Sequence, residues 1–270
     1  MDLSLLFKAL IMGIVEGLTE FLPISSTGHL IVAGALIGFP EPIAATFEIF
    51  IQLGAILAVV VYFARDLLDL LRRAARDRRA QRTLVNVAIA FAPAAVVGAL
   101  FSRFIKDNLF NPPTVALALI AGGVIMLVVE RRPRQAATHQ VEDAHGRQAL
   151  VVGLAQVASL WPGFSRSAST IVGGLLAGMD RPTALRFSFY LSIPTMLAAT
   201  VFDFARNLDA IHPTELPAFA VGLVAAFLVA LVVIRLFLGY VARRDLKPFA
   251  GYRIAAGVML LGLAAAGFFG

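Results

Sequence analysis

The sequence predicts an all-α polytopic membrane protein with six transmembrane helices and two re-entrant helix-loop-helix pairs, laid out as an inverted-topology repeat. Three observations carry that prediction. The chain of 270 residues is 59% hydrophobic and only 15% charged, with a mean hydropathy of +0.85; a soluble domain is about half apolar and about a quarter charged. Its apolar residues fall into stretches of about 17 to 23 residues, enough for a helix across a hydrocarbon core roughly 30 Å thick. The chain also matches itself when shifted by 140 positions, which brings Gly13 onto Gly153. This composition excludes disordered, collagen-like and nucleic-acid-binding proteins. The absence of Cys excludes disulfides, thiolate metal sites and Cys nucleophiles.

The first apolar region, 3–38, is broken by Pro23-Ile24-Ser25-Ser26-Thr27-Gly28-His29. Pro lacks an N–H and Gly weakens a helix, so broken backbone at membrane depth survives only where protein or a water-filled cavity surrounds it. The region is therefore expected to enter and leave on one side. It carries acids and is expected to be retained rather than cleaved as a signal peptide. Uninterrupted spans follow at 44–64, 84–101 and 114–130. A second broken region, 148–179, contains Trp161-Pro162-Gly163-Phe164-Ser165-Arg166-Ser167-Ala168-Ser169-Thr170 and calls for the same re-entrant geometry. Spans at 183–204, 217–239 and 252–269 complete the chain.

The self-match extends through both broken regions. Ser25 meets Ser165, Ile31-Val32 meets Ile171-Val172, and Gly34, Gly38, Pro42 and Phe47 meet Gly174, Gly178, Pro182 and Phe187. Coincident Gly and Pro argue for a true duplication, repeat 1 about 1–130 and repeat 2 about 147–270, within a single integral membrane domain spanning 1–270. Each half holds one re-entrant pair and three spans, an odd number, so the second half is expected upside down relative to the first, with the broken helices meeting near the bilayer midplane. The net charge of +6 is distributed accordingly. Loops 65–83, 131–147 and 241–251 carry Arg65, Arg72, Arg73, Arg76, Arg78, Arg79, Arg82, Arg131, Arg132, Arg134, Arg147, Arg243, Arg244 and Lys247, whereas loops 102–113 and 205–216 carry Arg103, Lys106 and Arg206. The Arg-rich side reads as cytoplasmic.

Ionisable groups at membrane depth cost about 2.5 to 3.5 kcal/mol each on insertion scales, which makes them functional candidates. Glu16 and Glu20 lie one helical turn apart, where two carboxylates repel unless a cation, a shared proton or an Arg sits between them. Ser25, Ser26, Thr27, Gly28 and His29 put hydroxyls, free N–H groups and an imidazole at the first turn, which suits a phosphate. Ser165, Arg166, Ser167 and Thr170 repeat that turn and add a guanidinium, a fork suited to phosphate oxygens or to Glu16 or Glu20. Glu48 and Gln52 form a polar pair inside a span, read as interhelical glue or as support behind the site. Trp161 is expected to pack the second turn, and His139, His145 and His212 to be loop residues rather than ligands.

The run Glu16-Gly17-Leu18-Thr19-Glu20-Phe21-Leu22-Pro23-Ile24-Ser25-Ser26-Thr27-Gly28-His29, together with Pro162-Gly163-Phe164-Ser165-Arg166-Ser167-Ala168-Ser169-Thr170, closely resembles the bacterial undecaprenyl pyrophosphate phosphatase family, linked to bacitracin resistance. Both signatures are complete and in order, and Phe47-Glu48-Ile49-Phe50-Ile51-Gln52-Leu53-Gly54 also fits. The resemblance implies hydrolysis of undecaprenyl diphosphate to the monophosphate carrier lipid used for peptidoglycan and other envelope polymers. It implies a site of Glu16, Glu20, Ser26, His29, Ser165, Arg166, Ser167 and Thr170, a divalent cation such as Mg²⁺ or Ca²⁺ near Glu16 and Glu20, and a bacterial inner-membrane location with the site facing the periplasm or outside. The expected partners are the polyprenyl diphosphate lipid and membrane lipids, with no nucleic acid; a homodimer stays open.

Ser26 and His29, three apart, suggest a hydroxyl nucleophile with an imidazole moving its proton. An attack by His29 or by activated water is equally compatible with the sequence. The rival reading from another class is a polyprenyl-phosphate transporter or flippase, because inverted repeats with broken helices are also a transporter plan.

Overall fold

The computed structural model describes residues 2–132, 136–207 and 213–269, with backbone alone at 41–42 and 203–207. Arg134 and His212 lie outside the described residues, as does the Arg206 side chain. Among the described residues the elements are α1 (Leu3–Thr19), α2 (Ser26–Ile37), α3 (Glu41–Tyr62), α4 (Ala64–Arg73), α5 (Arg78–Leu109), α6 (Pro112–Arg131), α7 (Gly146–Val157), α8 (Arg166–Leu176), α9 (Arg181–Asn207), α10 (Leu216–Val241) and α11 (Lys247–Ala265), with short 3₁₀ turns at Val141–Asp143 and Ala158–Leu160. Six of these helices, α3, α5, α6, α9, α10 and α11, are long and apolar enough to cross a membrane, and one of them overlaps each of the six predicted spans. Their outward faces expose Leu100, Phe101, Phe104, Val201 and Leu236, as lipid-facing helices do.

Several boundaries differ from expectation. α3 ends at Tyr62 rather than at 64, and α11 runs over Lys247–Ala265 rather than 252–269. The segment 65–83, read as a loop, begins with the amphipathic helix α4, which buries Leu70 and pairs Asp69 with Arg73 one turn on at 2.8 Å. The span expected at 84–101 belongs to α5, whose 32 residues run past it at both ends. At 1.5 Å per residue α5 exceeds the hydrocarbon core. Its start is fixed by Asp77, whose carboxylate accepts from the Arg79 N–H at 2.8 Å.

Each broken region folds as two helices joined by a turn, α1 with α2 and α7 with α8. The turns share a backbone signature: Ser25 has φ 72 and ψ 104, and Ser165 has φ 70 and ψ 117. Among the described residues they are the non-glycine positions with positive φ. Such a conformation costs on the order of 1–3 kcal/mol and persists only where the surroundings enforce it.

The packing exchanges helices between the halves: α1 lies along α10 and α7 lies along α5, while α6 meets α11 and α3 meets α9. Gly13 permits the first contact, since a Cβ there would overlap the Gly222 carbonyl. Gly153 permits the second, since a Cβ there would sit 2.6 Å from the Ala90 oxygen. Small residues let helix backbones approach where lipid removes most of the hydrophobic drive to associate. The result is that both turns are held inside the bundle rather than at its edge: Phe21, Ser26, Ser167 and Thr170 are all buried.

Candidate active site

Glu20 stands at the end of α1, and its carboxylate joins the two turns. Arg166, the first residue of α8, donates from Nη2 to Glu20 Oε1 at 3.2 Å, and the Ser26 hydroxyl, at the start of α2, donates to Oε2 at 2.6 Å. Arg166 Nη1 donates to the Ser188 carbonyl at 3.2 Å, and its guanidinium carbon lies 5.7 Å from the Phe21 ring centroid. Its Nε is buried without a hydrogen-bond partner. Both members of the ion pair have side chains only 10% exposed, so the pair is poorly screened.

Glu16 is fully buried, and neither carboxylate oxygen has a hydrogen-bond partner. Its charged neighbours are Glu20, Glu48 and Arg166. This rules out a carboxylate facing outside water. An uncompensated buried charge costs several kcal/mol, so the position calls for a proton or a cation. Two open oxygens beside further acids form the donor chemistry of a hard divalent ion. Among the described residues no three His, Asp or Glu side chains form a complete metal-binding set, so ligand oxygens would have to finish the coordination.

His29 is placed differently from expectation. Its Nδ1 meets the Ser25 carbonyl at 2.7 Å and its Nε2 meets the Tyr252 hydroxyl at 2.6 Å, with the two rings stacked 5.6 Å apart. A carbonyl only accepts, so the neutral ring carries its proton on Nδ1 and Nε2 accepts from Tyr252. The Ser26–His29 pair suggested by spacing is therefore not the hydrogen bond that forms. Ser26 occupies the first turn of α2 beside the end of α1, which gives its hydroxyl to Glu20.

The hydroxyls of the second turn mostly secure the backbone. Ser165 accepts from the Ala168 N–H at 3.2 Å, and Ser167 donates to the Phe21 carbonyl at 2.7 Å, binding the second turn to the first. Thr170 donates to the Arg166 carbonyl at 2.9 Å and lies 2.6 Å from Ser188 Oγ. What these two turns offer an anion is main-chain N–H groups at the starts of α2 and α8, the former with no side-chain cap at Ser25. Thr27 is half-buried, and Gly28 packs so closely on Leu119 that a Cβ would come within 3.2 Å. Glu48 and Gln52 are half-buried on α3.

Other sequence candidates have structural roles. Trp161 Nε1 donates to the Thr114 carbonyl at 3.1 Å and packs the second turn. His139 pairs with Asp180 at 2.7 Å, and His145 caps α7.

Two residues of α11 were missed by sequence reasoning. Tyr252 reaches His29, and Arg253 is fully buried among main-chain carbonyls. Both stand where the last span was taken to begin, and so read as its water-side edge. The cost of burying an ionisable group, which singled out Glu16, is the signal that applies equally to Arg253.

The chain has close relatives of known description. The sequence pattern of the family described as bacitracin resistance protein BacA matches residues 9–259. A protein from Laribacter hongkongensis named undecaprenyl-diphosphatase is 50% identical over 262 residues, covering 97% of this chain and 96% of that one. Proteins of the same name from Ectopseudomonas mendocina and a Thermoanaerobacter strain are 49% and 48% identical, covering 97% of this chain and 95% and 98% of theirs. With the two signature turns meeting at Glu20, Ser26 and Arg166, and with a match across nearly the whole chain, this protein belongs to the bacitracin resistance protein BacA family.

Proposed function

We propose that this protein is an undecaprenyl-diphosphate phosphatase, releasing inorganic phosphate and the undecaprenyl phosphate carrier. The observation that carries the reading is the Ser26–Glu20–Arg166 chain, in which a hydroxyl, a carboxylate and a guanidinium from the two turns share one buried site. The names of its relatives support the substrate, and the apolar outer faces suit a lipid that arrives from the bilayer.

In this mechanism Arg166 exchanges part of its bond to Glu20 for the terminal phosphate, to which its unpartnered Nε also donates. The N–H groups at the starts of α2 and α8 hold further phosphate oxygens and stabilise charge as it develops. Ser26 Oγ attacks the terminal phosphorus and passes its proton to Glu20. The bond from that phosphorus to the bridging oxygen breaks, and undecaprenyl phosphate leaves. Water then attacks the phosphoserine, Glu20 returns the proton to Ser26, and phosphate is freed. Ser25, Thr27, Gly28, Ser165, Ser167 and Thr170 shape the two turns, and His29, oriented by Tyr252, sits beside them. Glu16, with Glu20, is where a Mg²⁺ or Ca²⁺ ion would be held, and such an ion would neutralise phosphate charge. Glu48, a charged neighbour of Glu16, and Gln52 one turn further along α3 are read as support behind that position.

The broken regions are read as re-entrant pairs, and the halves, about 1–130 and 147–270, as inverted repeats of one integral membrane domain. The shared serine geometry and the reciprocal packing of α1 on α10 and α7 on α5 support this. The location is read as a bacterial inner membrane, with the Arg-rich loops toward the cytoplasm and the site facing the periplasm or outside. Nothing in the mechanism requires a second copy of the chain.

The test is phosphate release from undecaprenyl diphosphate by detergent-purified protein, with and without EDTA. Arg166→Ala and Glu20→Ala should each lower release about a hundredfold, or about 2.7 kcal/mol of transition-state stabilisation. Rapid quench with terminally ³²P-labelled lipid should trap label on Ser26. No release from folded wild-type protein under any cation overturns the enzyme reading.

A further inference from the structure

We propose that Arg253 is a positioning residue that clasps the two turns together and so sets the spacing between Glu20–Ser26 and Arg166. The inference rests on the site proposed above, but its geometric content does not.

Arg253 is fully buried on α11. Among the described residues its hydrogen bonds all go to main-chain carbonyls and none to a carboxylate. Nη1 donates to Pro23 of the first turn at 3.4 Å; Nη2 donates to Gly163 and Phe164 of the second turn at 3.2 and 2.8 Å. Nη2 and Nε also reach the Ala118 and Leu119 carbonyls of α6 at 3.4 Å. One guanidinium thus touches the residue two before Ser25 and the residues one and two before Ser165, the two strained serines that open α2 and α8.

The surroundings are shaped to admit it. A Cβ on Gly122 would overlap Nη2, and one on Gly123 would lie 3.2 Å from the Arg253 Cβ. Gly163, at φ 94, is pressed so closely on Val115 that a Cβ would overlap the Val115 carbonyl. Burying a cation without a counter-charge is expensive, and the carbonyl ring offsets that cost only in this arrangement. The planar fork matters as much as the charge: five donors fixed in one plane can span two turns, whereas a Lys ammonium is a point that serves one.

The expected consequence is kinetic. Loosening the clasp should let Arg166 drift relative to Ser26, lowering kcat while leaving KM within a few-fold. Because the chain has no Cys, Leu22→Cys and Ser159→Cys can carry spin labels flanking the two turns. In a folded Arg253→Met protein, kcat should fall at least tenfold and the label-to-label distance distribution should broaden. The same substitution placed on Arg166→Ala should cost little further activity, since the residue being positioned is gone. Arg253→Lys, which keeps charge and length, should show the same broadening to a lesser degree.

A folded Arg253→Met or Arg253→Lys protein with the wild-type kcat and distance distribution overturns the proposal. Equal losses in the wild-type and Arg166→Ala backgrounds overturn it too, since they indicate a general structural role. Failure of both variants to fold would likewise show that Arg253 holds the whole bundle rather than the turns. If wild-type protein releases no phosphate, the enzyme reading fails by itself, and the distance measurement still decides the clasp.

Discussion

The turn after α1 and the turn after α7 share a strained serine at the start of the next helix and differ in the chemistry they carry. Each opens its helix with a serine at positive φ, at Ser25 and Ser165. Yet Glu16 stands opposite Gln156 in the 140-residue match, Ser26 opposite Arg166, His29 opposite Ser169 and Glu48 opposite Ser188. The acids lie with the first turn and the guanidinium with the second, so the ion pair of Glu20 with Arg166 needs both. The difference teaches that the strained serine is common to both turns while the charged groups are divided between them. The ion pair between Arg166 and Glu20, the Ser167 bond to the Phe21 carbonyl, and the Arg253 bonds to Pro23, Gly163 and Phe164 all run between the two turns.

The largest effect should come from making the first turn resemble the second. Glu16→Gln should fold, because Gln is what stands at 156, where its Oε1 accepts from Thr195 at 3.3 Å. Phosphate release should nevertheless fall about a hundredfold. Gln156→Ala should change release by less than about threefold. Comparable losses in both would break the comparison.

A second pair separates chemistry from support. Ser26→Ala should abolish ³²P labelling and lower kcat in protein that still folds. Ser167→Ala leaves the Phe21 carbonyl without its donor and should cost about 1–3 kcal/mol in stability, read from the unfolding midpoint. Labelling of a Ser26→Ala protein would move the nucleophile elsewhere.

The smallest effect lies where the two halves leave their turns. α3 begins after Pro40 with no side-chain cap, while at the equivalent start of α9 Asp180 accepts from the Thr183 N–H at 2.8 Å. Burial pushes the Asp180 carboxyl up, but its bonds to Thr183 and to His139 outweigh this and hold it below the ordinary carboxylate value. Its contribution is therefore present above the ordinary Asp value of 3.8 and is lost as pH falls through the lower folded value. Asp180→Ala should cost about 0.5–2 kcal/mol near neutral pH, and that difference should shrink in acid. Unfolding midpoints measured across pH would check the sign.

The spans were legible because bilayer thickness imposes a length and an apolar composition on each, a property local to the sequence. α4 was not, since a short amphipathic helix lies within an Arg-rich segment that reads as a loop. The two breaks and their cost-bearing residues were legible for the same local reason: Pro, Gly and charge at membrane depth stand out one by one. Arg253 escaped because its residue type is ordinary at a span's edge, and only its burial distinguishes it.

By itself, then, the sequence determined which residues are too costly to sit in a membrane without a purpose, and that they fall into two matching turns. The tertiary structure decided their partners. Ser26 turns to Glu20 rather than His29, His29 turns to Tyr252, and Arg166 reaches an acid 146 positions away. Hydropathy is summed along a segment, but a hydrogen bond needs two groups within about 3 Å in the right direction. That placement depends on how α1, α2, α8 and α11 rotate and approach one another, and the glycines that permit the approach act between helices far apart in the chain.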